Sequence, residues 1–552
     1  MKLHILPTAL TLALGMVLAG CGGDKTPATD TKKEQSTQAT QELAEKQEIT
    51  INNGAEPESL DPHKVGGVPE SNILRQMLVG LTTTDVNGKT VGGMATEWES
   101  ADNKVWIFKL RDAKWSNGDP VTAHDFVYSF RRLVTPEIAS PYATYLAGLK
   151  VVNAQDIVDG KTKPDMLGVK AIDDKTLEIT LSEPVPYFPD ALFHTSVSPV
   201  HQKTVETYGD KWTSVGNFVG NGAYTLKDWI VNERIVLERN KNYYDDANTT
   251  INQVTLLAID SDTTDVTRYK AGEIDMTADA LPPAQFKQLQ SELGSEVKIQ
   301  PKLCTYYYEF NHTKKPFDDV RVRKALSLAF DRETIAEKVV AQGQTPAYQF
   351  TPPSISGMKN YTPEWQAWDR AKRVEEAKKL LNEAGYNEQN PLKFELLYNT
   401  SESHKTIAVA ADSIWKKDLG FVQITLNNQE WKTYLDTRRT QKHDVARGAW
   451  CADYNEPSTF LNTFLSTDSN NYGKYKSAEF DAIMQKTLGV EVTPEQRAEL
   501  YSQAEGILDK DAATIFIYHY VSPRLVKPYV QGFMEVDPQN QWQVKDLKIL
   551  KH

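Results

Sequence analysis

The sequence predicts an α/β chain of more than one domain, and three observations predict it. Strand-like segments rich in β-branched and aromatic residues are interspersed with helical ones, the pattern of α/β or α+β domains. Roughly 500 residues follow an N-terminal segment unfit to fold, more than one domain usually holds. The composition is ordinary for a globular protein, with 25% charged and 10% aromatic residues and a mean hydropathy of −0.50.

Residues 1–20 read as an export signal. Met1-Lys-Leu-His carries a weak positive end, Ile5 to Val17 is mostly apolar, and Leu18-Ala-Gly-Cys21 closes it. A short apolar core followed by small residues is a secretory signal rather than a membrane span. The Cys after Leu-Ala-Gly resembles a bacterial lipoprotein cleavage box. That makes Cys21 the expected acylated N-terminus, tethering the chain to a membrane surface without spanning it. A soluble protein cut nearby is the alternative. Residues 21–46 hold no aromatic residue and a single Pro. Such a segment buries too little apolar surface to fold and is expected as a flexible tether.

The folded body is expected to start with a strand at Gln47-Glu-Ile-Thr-Ile-Asn52. Further strands are predicted at Val105–Leu110, Thr176–Leu181, Ile235–Glu238 and Val422–Leu426. The spacing of Val374, Ala377, Leu380, Leu381 and Ala384, with Gly385 at the end, predicts a helix over Ala371–Ala384. Arg321–Asp331 and Pro494–Leu508 also read as helical. The formal charge of −12 argues against nucleic acid, whose binders carry basic patches.

One stretch concentrates chemistry. Ala446-Arg-Gly-Ala-Trp-Cys-Ala-Asp-Tyr-Asn-Glu-Pro457 places a guanidinium (Arg447), an indole (Trp450), a sulfur (Cys451) and a carboxylate (Asp453) close together. In an extended segment alternate side chains face the same way, so Arg447, Ala449, Cys451 and Asp453 would share a face. A cation and an anion about 20 Å apart along such a segment suit a ligand with opposite charges at its ends, such as a zwitterionic peptide. By itself the stretch favours the plainer reading, two surface charges flanking a core indole.

This stretch, with Tyr398-Asn-Thr-Ser-Glu-Ser-His404 upstream, resembles the ligand-binding heart of the periplasmic oligopeptide-binding proteins. These are the solute receptors of ABC peptide importers (solute-binding protein family 5). Ser59-Leu-Asp-Pro-His-Lys64, Lys114-Trp-Ser-Asn-Gly118, Asn221-Gly-Ala-Tyr224, Cys304-Thr-Tyr-Tyr-Tyr-Glu309 and Asn428-Gln-Glu-Trp431 carry the likeness along nearly the whole mature chain. The resemblance implies a type II-like periplasmic-binding-protein fold: two large lobes that close about a hinge, plus an extra domain. Domain I would comprise 47–78, 203–303 and 521–552, domain II 79–202, and domain III 304–520. It also implies a bridge between Cys304 and Cys451, with two buried thiols as the alternative.

A receptor of varied peptides has to read the main chain and the termini. The resemblance puts Ala449, Trp450 and Cys451 on one side of an extended ligand and Gly66 to Val68 (Gly66, Val68) on the other. It assigns Asp453 to the peptide ammonium and Arg447, His404 and Arg438 to the carboxylate, as a row of cations suiting ligands of different length. Tyr142, Tyr307, Trp431 and Asn399 would line side-chain pockets. This sequence departs from the usual pattern in having Ala449 where Gly is common, with Gly at 448, and Gly66 where an acid is common. The expected partners are short peptides of about 2–5 residues, the permease and ATPase subunits of an importer, and a membrane through the lipid. The protein is expected to be a periplasmic, lipid-anchored monomer with no cofactor, no metal and no nucleic acid.

An enzyme is not expected. Gly88–Thr90 and Gly160–Thr162 lack the earlier Gly of a phosphate loop, and no His-Glu-x-x-His or Gly-x-Ser-x-Gly occurs. The chief alternative is a receptor for a cell-wall (murein) tripeptide on the same fold.

Overall fold

The computed structural model describes residues 42–85, 88–489, 491–534 and 537–552. The expected signal, the acylation of Cys21 and the tether as far as residue 41 lie outside the described residues. Leu43–His552 forms one compact unit. The body starts earlier than the sequence predicts: Leu43 pairs with Leu550, and the Ala44 amide donates to the Ile549 carbonyl at 2.9 Å. A polar segment is ordered here because the C-terminal segment supplies main-chain partners.

Three larger sheets organise the chain. Strand β1 (Glu48–Asn52) is the first predicted strand, and its amphipathic alternation places Ile49 and Ile51 inside. Helix α1 (Val68–Met77) follows, with Pro69 in its first turn. Strands β2 (Ala95–Glu99), β3 (Val105–Leu110), β4 (Val169–Asp173) and β5 (Thr176–Thr180) make an antiparallel sheet in the order β2-β3-β5-β4. Strands β6 (Tyr224–Ile230), β7 (Arg234–Arg239) and β8 (Gln253–Leu257) join β1 in the order β1-β8-β7-β6. Helix α2 (Asp262–Lys270) comes next.

The six-stranded sheet holds the chemistry. It comprises β9 (Val297–Phe310), β10 (Thr345–Pro346), β11 (Leu392–Asn399), β12 (Val422–Gln429), β13 (Val445–Cys451) and β14 (Thr514–Leu525), ordered β10-β14-β9-β13-β11-β12. From Leu303 to Phe310 every residue of β9 is buried. A strand covered on both faces shows no alternation, which is why Tyr306-Tyr-Tyr308 reads as a continuous aromatic run. Cys304 faces Cys451 in the β9–β13 register, and the two are bridged (S–S 2.06 Å) across 147 residues of sequence. Thus the pairing the resemblance implied is present.

The helices depart from their predictions in detail. The 371–384 helix spans Arg370–Glu383, with the Asp369 side chain accepting from the Lys372 amide and Gly385 leaving it at φ +90°. Its buried face carries Ala377, Leu381 and, unexpectedly, Arg373, while Val374 is half-buried. Arg373 goes inside because Glu333 meets its guanidinium at 2.9 Å, and a buried charge is tolerated when paired. The 321–331 segment is helical over Val320–Leu328. The last predicted helix spans Pro494–Lys510 behind a Thr493/Gln496 capping box.

Candidate functional site

Helices α3 (Glu402–Leu419) and α4 (Trp431–Arg439), together with β13, frame a cavity of about 320 Å³. Strand β13 pairs with β9 along its whole length, to Cys451. On its other side β11 matches only Val445 and Ala446. The edge from Gly448 to Cys451 therefore has no strand beside it among the described residues, and Ala449, Trp450 and Cys451 line the cavity. An open edge of this kind accepts an extended chain by main-chain pairing. Gly448 is needed for the sheet itself: a Cβ there would lie 2.4 Å from the Tyr307 ring opposite. That explains the position of the glycine one residue before Ala449.

At one end of this edge stands Arg447, 8% exposed. Its guanidinium donates to Asn399 Oδ1 at 3.2 Å and to the Tyr520 hydroxyl at 2.8 Å, and it lies 5.0 Å above the Tyr306 ring. Its Nε is buried with no partner. Burial opposes the charge, but the surrounding phenols, led by Tyr520, outweigh it and the pKa stands above the ordinary arginine value. No carboxylate of a described residue pairs with this cation.

At the other end is Asp453, also 8% exposed and two residues beyond the end of β13. Its carboxylate accepts from the Tyr142 hydroxyl at 3.2 Å and lies 3.4 Å from His194 Nε2. The contact with His194 is not an ion pair. Burial, with Arg75 adding to it, drops the imidazole pKa to about 3, and its Nδ1 accepts from the Ser196 amide. The ring is therefore neutral, with its remaining proton assigned to Nε2, towards Asp453. Burial pushes the Asp453 carboxyl well above the usual range; the Tyr142 hydrogen bond only partly offsets this.

The remaining predicted residues all line the same cavity. Gly66 and Val68 form the wall where α1 begins. Tyr142 lies 4.5 Å from His194 and 6.2 Å from Trp450, centroid to centroid. Trp431 donates from Nε1 to Glu70 Oε1 at 3.1 Å. A Cβ on Gly67 would meet Glu70 Oε2 at 2.2 Å and the Trp431 ring at 2.7 Å, so this wall requires glycine. Asn399 and Tyr307 stand beside Arg447 and Arg438 respectively.

Two expectations are corrected in their chemistry. His404 is not a standing cation: burial, then the charge of Arg447, holds its pKa well below 6.5, and Nδ1 is buried without a partner. Arg438 is a cation whose charge is already met, since Glu309 accepts from it at 3.1 and 3.2 Å. Arg447 therefore stands as the open cation of the predicted row. Sequence reasoning missed His194, Tyr520 and Arg75, which reach the cavity from distant parts of the chain. No local motif marks them.

Among the described residues no group of His, Cys, Asp and Glu could hold a metal ion, and no helix is long and apolar enough to cross a membrane.

Residues 89–472 match the family described as bacterial extracellular solute-binding proteins, family 5 middle. The periplasmic oligopeptide-binding protein OppA of Salmonella typhimurium is 57% identical over 512 residues, covering 93% of this chain and 94% of that one. Haemophilus influenzae OppA in complex with the peptide RPPGFSPFR superposes with a TM-score of 0.90 at 52% identity, covering 92% and 100%. The Escherichia coli murein tripeptide-binding protein MppA gives 0.91 at 43%, over 92% and 100%. The unliganded open form of MppA gives only 0.65 at the same identity, over 93% and 99%. The chain thus superposes better on the peptide complex than on the open form. By family match and by identity, this chain belongs to the bacterial extracellular solute-binding proteins of family 5, with periplasmic oligopeptide-binding proteins as its near relatives.

Proposed function

We propose that the protein captures short oligopeptides, of about 2–5 residues, and delivers them to the permease of an ABC importer. The observation that carries this is a pair of complementary charges that the described residues leave unpaired. Among the described residues, a buried carboxyl with no cation (Asp453) and a buried guanidinium with no anion (Arg447) flank an unpaired strand edge in one cavity. A peptide's ammonium, carboxylate and main chain satisfy all three, and an unpaired buried charge is costly enough to make the fit selective. The names of the relatives, among them periplasmic oligopeptide-binding proteins, point the same way.

In this reading Asp453 takes the ammonium and Arg447 the carboxylate. A neutral His404 gains a proton when the carboxylate of a longer ligand arrives beside it, and Arg438 steadies Glu309 and Tyr307. The aromatic side chains Tyr142, Tyr307, Trp431 and Trp450 bound pockets in which water adapts to varied side chains. The three lobes follow the boundaries given above. Three sheets whose strands fall within them support this, as do β9 and β14, which run through 303 and 520. Contacts such as Trp431–Glu70, Arg439–Glu58 and Ser403–Asp262 hold the walls together in the closed form. The protein acts in the periplasm as a monomer, anchored through Cys21.

The test is calorimetric titration of protein stripped of ligand by unfolding and refolding. Trialanine binds tightly, and N-acetyl-trialanine binds at least about tenfold more weakly, a difference of 1.4 kcal/mol. Equal affinities would remove Asp453 from the ammonium site. No binding of trialanine by the folded protein would favour the murein tripeptide instead.

A further inference from the structure

We propose that Arg75 forms a subsite for an acidic side chain near the amino end of the bound peptide. The inference rests on the peptide reading of the cavity.

The charges that face the cavity are mostly met within the protein. Arg438 has Glu309, Arg439 has Glu58, Lys302 has Asp279, and the Asp262 carboxylate accepts from Ser403. Asp260 is exposed to solvent. Asp453 and Arg447 are left for the two termini of a peptide. Arg75 is left as well.

Arg75 sits in the last turn of α1 and lines the cavity. Among the described residues, its guanidinium donates to the main-chain oxygen of Asn540 at 3.3 Å, and it forms no ion pair with a carboxylate. Asp537 is the acid that influences it, but that carboxylate is engaged by the Trp542 amide at 2.8 Å and also serves Arg524. Burial lowers the Arg75 pKa to about 10, still far above neutrality, so a charged guanidinium is held in the wall with no carboxylate of a described residue in direct contact. A guanidinium is built for two-pronged recognition of a carboxylate.

Its place in the cavity selects the part of the ligand it meets. Arg75 is close enough to His194 to depress that imidazole, and His194 lies 3.4 Å from Asp453. One turn earlier on α1, Ser71 contacts Thr195, next to His194. The subsite is therefore beside the ammonium end. Gly66 and Gly67 bring no side chain to this wall, and the Glu70 carboxylate behind Gly67 is engaged by the Glu58 amide and Trp431 Nε1.

The experiment compares Glu-Ala-Ala with Gln-Ala-Ala, and Ala-Glu-Ala with Ala-Gln-Ala, by calorimetric titration, with trialanine as reference. Glu and Gln are matched in shape, so their affinity ratio reports charge. In the wild-type protein one Glu peptide binds at least about tenfold tighter than its Gln partner. In R75Q that ratio falls to near one, and in R75K part of it remains. Equal wild-type affinities within both pairs, or a Glu preference that survives R75Q, would overturn the proposal. If the folded wild-type protein takes up none of the peptides, trialanine included, the peptide reading itself fails and this inference falls with it. Uptake of trialanine without a Glu preference removes this inference alone.

Discussion

The two ends of the cavity solve the same problem with opposite consequences. Each presents a buried ionisable group with no counter-ion among the described residues. At the Arg447 end the charge persists in the empty site: two neutral acceptors and an aromatic face hold the guanidinium, whose proton is never at risk. At the Asp453 end the charge is conditional. Its neighbours are a phenol and a neutral imidazole, and burial drives the carboxyl towards its protonated form. A carboxylic acid can discard an unwelcome charge, and a guanidinium cannot. The amino end of the site is therefore the end that senses pH, and the carboxyl end is the permanent electrostatic anchor.

The largest expected effect lies between these ends. Cys451 follows Arg447 by four positions and precedes Asp453 by two, and it is tied to Cys304. Replacing both cysteines by Ser costs about 4–5 kcal/mol of stability in the chain-entropy account of a loop this long, measured by denaturant unfolding. It loosens the Asp453 end more than the Arg447 end, which lies within the sheet. A loss of discrimination against N-acetyl-trialanine larger than the loss against an amidated carboxyl end is the expected signature.

Arg438 and Arg447 are both buried arginines facing the cavity, yet they separate by role. R438M strands Glu309, and removing one partner of a buried pair costs about 3–5 kcal/mol of stability. R447M strands no protein carboxylate and shows itself chiefly in peptide affinity. If both variants lost stability alike, Arg447 would be a structural residue and the contrast between the ends would collapse.

D453N weakens trialanine binding by about 2–5 kcal/mol, the usual cost of truncating one member of a buried charge pair, read by calorimetry. The ligand-free variant gains stability at neutral pH. The Asp453 carboxyl has a pKa above its unfolded value of 3.8, so the folded chain holds more protons in the window between the two values. Its stability contribution is full below 3.8 and is lost as pH rises through that window. Asn removes this loss.

The smallest effect sharpens the comparison most. A peptide ammonium lowers the Asp453 pKa, so binding releases a proton wherever the empty site holds one. Affinity for trialanine then declines as pH falls towards the acid range, and the binding enthalpy depends on the buffer's ionisation enthalpy. D453N abolishes both dependences, while R447M leaves the proton release in place. Proton uptake in place of release would assign the titrating group to His404, whose pKa a ligand carboxylate would raise.

Much of this was legible in the chain. The β13 segment, the aromatic run of β9 and the amphipathic helices declare themselves because period and burial are local properties. Every residue that the resemblance implies for peptide contact lines the same cavity. What local pattern could not convey was the state of each charge. Arg438 and Arg447 stand nine residues apart with similar surroundings in sequence, and Glu309, far upstream, distinguishes them. His404 reads as a cation until Arg447 and burial make it neutral. Arg373, one residue before the predicted apolar spacing begins, is inside because Glu333 is there to meet it.

By itself, then, the sequence determined the elements, the disulfide pair and the set of residues that share a site, since these follow from patterning and from likeness to a family. Only the tertiary structure decided which of those residues are open to a ligand. Charge and protonation depend on desolvation and on partners brought from remote segments, as Tyr520 and Asn399 are brought to Arg447, and Tyr142 and His194 to Asp453.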